Sequence, residues 1–111
     1  MSARLPTEMT VKARLRMLAA RGIVATILQH GDDWGGALML QLNLLDGRNR
    51  LYTQVRDLDG NIAWLALEKG RDFTETEAKD RIEKAAARDR DLWVIEIEDR
   101  QGEIPFEGKI L

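Results

Sequence analysis

Glu96 and Glu98 stand two apart in the run Asp91-Leu92-Trp93-Val94-Ile95-Glu96-Ile97-Glu98-Asp99-Arg100, whose alternation is that of a β-strand. Residues i and i+2 of a strand project from one face about 6–7 Å apart. The two carboxylates, with Asp99 at the strand's end, therefore offer oxygen ligands for a divalent cation or an acid and base pair. Such a site needs further ligands, and Asp32 and Asp33 in the cluster Gly31-Asp32-Asp33-Trp34-Gly35-Gly36 are suited to supply them, with His30 nearby. The chemistry would be metal-dependent hydrolysis, including that of a nucleic acid. The plainer reading, which the residue types favour, is a solvated face whose glutamates pair across strands with Arg48, Arg50 or Arg56.

His30 is the single histidine of the chain. Before a Gly-Asp turn it could act as a base oriented by Asp32 or as one metal ligand, although a lone histidine at a strand end is more often an ordinary surface residue. The glycine cluster lacks the strand-to-helix context of a phosphate-cradling loop. It reads instead as a flexible hairpin loop carrying an exposed aromatic, Trp34.

Other residues suit binding. Arg4, Lys12, Arg14, Arg16 and Arg21 lie in or beside the first predicted helix against one acid, Glu8, and such a helix can neutralise phosphates, with Arg14 and Arg16 at its centre. A pI near 5.4 and an aromatic content of 5% weigh against a nucleic-acid partner. Arg50-Tyr52-Gln54-Arg56 alternate onto one strand face, a surface of two cations and an aromatic that could receive an acidic protein partner. An ordinary solvated strand face is the competing reading.

The elements that must position these residues follow from periodicity and turn chemistry. Thr7 is placed to cap a helix over 7–21 that stops at Gly22. Strand-like runs follow at 23–30, 37–45, 50–57 and 61–67, the last three separated by Asp-Gly turns. In the second run Leu38, Leu40, Leu42 and Leu44 share one face and leave Met39, Gln41 and Asn43 on a wetter one. Thr74 and Glu77 have capping-box spacing at the head of a helix over 75–89, and the last strand buries Trp93 as an anchor with Ile95 and Ile97. Trp64 belongs to the same core. Residues 103–111 are expected as an edge segment or a frayed tail.

The expected architecture is α+β in the order αββββαβ. It is a single two-layer domain over 1–111, with an antiparallel sheet of about five strands, the first four a meander, and both helices on one face. A length of 111 residues, 44% hydrophobic and 32% charged with a net charge of −2, fits one globular core. The absence of cysteine excludes disulfides, thiolate metal cages and a cysteine nucleophile. No apolar run approaches the length of a membrane span, so a cytoplasmic protein without membrane contact is expected. Residues 1–56 carry a net +4 and residues 57–111 a net −6, charges that can complement each other across one fold.

Ala3-Arg4-Leu5, the Gly31-Asp32 turn running into Gly36-Ala37-Leu38 and, above all, the ten residues 91–100 resemble the bacterial family called domain of unknown function 1491, over about residues 3–102. That family usually has Pro immediately before Asp-Leu-Trp, where this chain has Arg90. The resemblance implies no activity, cofactor or partner. From the residues, the leading expectation is a non-enzymatic binding or accessory module. It would recognise another protein, or a second copy of itself, through a sheet face or edge and the Trp34 loop. The alternatives are the metal-dependent hydrolase or nuclease of Asp32, Glu96, Glu98 and Asp99, and weak nucleic-acid binding through Arg14 and Arg16. No cofactor is expected.

Overall fold

The computed structural model describes residues 5–111. Helix α1 spans Thr7–Ala20 with an extended Pro6 at its N-cap position; no side chain among the described residues caps it, so Thr7 lies inside the helix rather than capping it. Gly22, at φ 75°, turns the chain into β1, Val24–Gln29. β2 (Leu38–Asn43), β3 (Asn49–Arg56) and β4 (Ile62–Ala66) follow as an antiparallel meander. Helix α2, Glu75–Arg88, opens with the predicted capping box: Thr74 Oγ1 accepts from the Glu77 N–H, and Glu77 Oε1 accepts from the Thr74 N–H. β5 is Trp93–Glu98, and within the expected tail Lys109–Ile110 form a short β6 along β4.

The sheet order is β1-β5-β2-β3-β4-β6. It therefore has six strands rather than about five and is mixed rather than antiparallel, because β5 runs parallel to β2 and β6 parallel to β4. β1 and β2 do not form the expected hairpin. β5 lies between them, antiparallel to β1, so the chain from 30 to 37 has to bridge over the start of β5. It does so closely: Asp32 N–H donates to Asp91 O at 3.0 Å, and Trp93 N–H donates to Ala37 O at 2.9 Å. A Cβ at Gly31 or Gly36 would stand 2.3 or 2.1 Å from Asp91 O, so the glycines of the turn cluster are required by this close approach.

The two helices cover opposite faces of the sheet, giving three layers where two were expected. On one face Leu38, Leu40, Leu42, Trp64, Trp93, Ile95 and Ile97 pack with Val11 and Leu15 of α1 and with Ile104 and Phe106 of the tail. On the other, Met39, Leu51, Leu92 and Val94 pack with Phe73 and with Ala78 and Ile82 of α2. A strand buried on both faces reads as a continuous apolar run, as 92–95 does. The supposedly wetter side of β2 is covered too: Met39 and Gln41 are buried, and Gln41 Nε2 donates to Asn49 Oδ1 at 2.9 Å. Among the described residues, no helix is long and apolar enough to cross a membrane.

Candidate functional site

The first turns of α1, the bridge at 34–37 and the far end of β3 enclose a groove of about 530 Å³ on the α1 face. Ile62, Val55 and Phe106 supply apolar wall, and the Leu38 N–H donates to Gln54 Oε1 at 3.3 Å within it. Trp34 stands at its rim with 76% of its surface exposed. The bridge holds Trp34 there. Asp32 Oδ2 accepts from the Trp34 and Gly35 N–H groups at 3.2 and 2.8 Å, and Asp32 O accepts from Trp93 Nε1 at 2.8 Å.

Arg14 and Arg56 approach the same groove from helix and strand. Among the described residues Arg14 has no ion pair, and Arg56 spends one N–H on Gly60 O at 3.0 Å. A guanidinium has five donors, so both retain capacity for an anion. Glu107 lines the groove on the tail side. An exposed indole, an apolar wall and two guanidinium groups together can hold a ligand with an acidic group and an apolar one.

The remaining candidates are dispersed. Tyr52 is 8% exposed and belongs to the α1-side core, which corrects its reading as a surface aromatic. Arg50 donates to Asp72 Oδ1 at 3.1 Å, and Arg48 is engaged by Asp46 at 2.7 Å, which holds that carboxyl below its usual pKa. The expected pairing of Arg48, Arg50 or Arg56 with Glu96 and Glu98 does not form, because β2 separates β3 from β5. Arg16 is exposed and lies away from the groove lining. At 100° per residue Arg16 shares a helix side with Lys12, and Arg14 shares another with Arg21. The described helical cations are thus split between two sides rather than joined in one stripe; Arg4 lies outside the described residues.

The carboxylates Asp32, Glu96, Glu98 and Asp99 do not converge. Asp32 holds the bridge turn at the start of β5, Glu96 Oε2 accepts from Asn43 Nδ2 at 3.1 Å, and Asp99 Oδ1 accepts from the Gln101 N–H beyond the strand's other end. Among the described residues the trio whose metal-type ligand atoms lie within 4.8 Å of one another is Glu8, His30 and Asp33. His30 Nε2 meets Asp33 Oδ1 at 2.7 Å, so its carboxylate neighbour is Asp33 and not Asp32. The His30–Asp33 spacing is visible in the sequence. Glu8 has no local signal, because a tertiary contact brings the start of α1 to the bridge, where the Glu8 N–H donates to Asp33 O at 3.0 Å.

The family profile described as protein of unknown function, DUF1491, matches residues 5–107. A crystal structure of a DUF1491 family protein from Caulobacter crescentus CB15 is 30% identical. It aligns over 97% of this chain and 100% of its own, with a TM-score of 0.85. An NMR structure of a DUF1491 family protein from the same organism is 30% identical over 99% of each chain, with a TM-score of 0.82. The solution structure of protein Atu0922 from A. tumefaciens is 28% identical over 92% of this chain and 90% of its own, with a TM-score of 0.72. No curated protein matches the chain.

Proposed function

Since this chain belongs to the DUF1491 family of proteins of unknown function, a membership that carries no activity, we propose from its own geometry that it is a non-enzymatic module binding an acidic segment of a partner protein. The observation that supports this reading is the meeting of Trp34, Arg14 and Arg56 around one groove, from three elements far apart in the chain. Interface anchors are enriched in Trp and Arg, and two guanidinium groups beside an apolar wall are complementary to a carboxylate-bearing peptide with an apolar side chain. The split of the helical cations disfavours a nucleic-acid backbone, which needs a continuous run of phosphate contacts.

The test is selection of a random-peptide display library on the folded protein. Enrichment of Asp- or Glu-containing peptides with an apolar residue, lost when the library is presented to the Trp34→Ala or the Arg14→Glu/Arg56→Glu variant, is the expected result. Enrichment of peptides without acidic residues, or of peptides that bind both variants undiminished, would overturn the reading. So would the absence of any enrichment together with salt-sensitive retention on heparin, which would favour nucleic acid instead.

A further inference from the structure

We propose that Glu8, His30 and Asp33 form a binding site for one divalent transition-metal ion, separate from the groove reading and from the carboxylates of β5. The three donors come from the first turn of α1, the residue following β1 and the bridge over β5, and their ligand atoms all lie within 4.8 Å of one another. Ligands bound to a common ion at 2.0–2.2 Å stand roughly 3 Å apart. The 2.7 Å between His30 Nε2 and Asp33 Oδ1 is close to that spacing.

The imidazole distinguishes this trio from an ordinary group of surface acids, and its orientation is held by buried structure. Its ring lies 4.1 Å from the Trp93 indole, centroid to centroid, and Trp93 is completely buried. Trp93 Nε1 in turn donates to Asp32 O, next to Asp33. The Glu8 N–H bond to Asp33 O ties the helix start to the same loop. One nitrogen and two carboxylate oxygens make a donor set suited to Zn²⁺, Co²⁺ or Mn²⁺ rather than to the all-oxygen preference of Ca²⁺. His30 and Asp33 are about half exposed, so water completes the coordination.

Lys12 is the competing cation: its Nζ lies 2.6 Å from Glu8 Oε1 on a side chain that is itself half exposed. A metal ion has to displace it or bind through the other carboxylate oxygen. Removing the ammonium should therefore tighten the site.

The experiment is a Zn²⁺ titration of the protein without a polyhistidine tag, followed by NMR of the histidine ring, which is unambiguous because His30 is the single histidine. The ring signals are expected to shift saturably with one ion per chain and to return on chelation. Glu8→Gln and Asp33→Asn should each weaken binding by about tenfold or more, Lys12→Met should strengthen it, and Glu96→Gln should leave it unchanged. Ring signals that stay fixed up to millimolar Zn²⁺ would overturn the proposal. Equal affinity in wild type, Glu8→Gln and Asp33→Asn would do the same, since it would mark a lone surface imidazole beside an ordinary His–Asp hydrogen bond.

Discussion

α1 and α2 are each 14 residues long and lie on opposite faces of one sheet, but their surroundings differ in how far they satisfy their own polar groups. At the α2 end a capping box closes the helix start, and Arg71 and Arg81 are shared among Glu68, Glu77 and Asp80. Both guanidinium groups also lie over the buried Phe73 ring, at 4.7 and 5.5 Å. α1 has no side-chain cap, keeps Met9 and Met17 exposed and leaves Arg14 without an ion pair among the described residues. The donors of Arg71 and Arg81 around the head of α2 are thus spent within the fold, although Lys79 and Arg88 farther along that helix form no ion pair among the described residues. The helix held chiefly by Val11, Leu15 and Leu18 leaves donors and apolar surface beside a groove, and it is there that both proposed sites fall.

The largest effect should come from emptying the α2 side. Phe73→Ala removes a buried ring, 1% exposed, and with it the platform under two arginines, so urea unfolding should report a loss of about 3–5 kcal/mol. Trp34→Ala on the α1 side should stay within about 0.5 kcal/mol of wild type while abolishing peptide binding. Comparable losses at the two positions would erase the contrast between the faces.

Thr74→Ala breaks the capping box and should cost about 1 kcal/mol in the same assay. The smallest effect should be in the pH dependence. The Thr74 N–H, followed by Arg71, holds the Glu77 carboxyl down from an ordinary 4.5 to about 2. A depressed folded-state pKa gives stability that is full above about pH 4.5 and is lost as the pH falls through about 2. Thermal melts between these limits should fall less steeply in Glu77→Gln than in wild type; identical slopes would remove Glu77 from the account of acid sensitivity.

Features set by local chemistry were legible in the sequence. The Thr74–Glu77 spacing specifies the cap of α2, and the alternation around Trp93, Ile95 and Ile97 places them on one buried face. What was not legible is which strand pairs with which, because strand partners are chosen by burial across the whole sheet. The insertion of β5 between β1 and β2 puts β2 between β3 and the glutamates of β5, and α2 packs on the face opposite α1. Two traces of it were present in the composition: the unbroken apolar run 92–95, suited to a strand covered on both sides, and the glycines at 31 and 36, which bring the bridge against Asp91. Of the candidate site, Trp34, Arg14 and Arg56 could be named singly, but their meeting depends on how α1 lies against the sheet.

The most direct test of the division between the two faces is an amide NMR titration of the wild-type protein with an acidic, apolar-containing peptide taken from the display selection. Shifts confined to the first turns of α1, the bridge at 31–38 and the ends of β3 and β4, and absent from α2, are the predicted result. Shifts centred on α2 and the Glu68–Arg81 network, or along the free edge of β1, would contradict it.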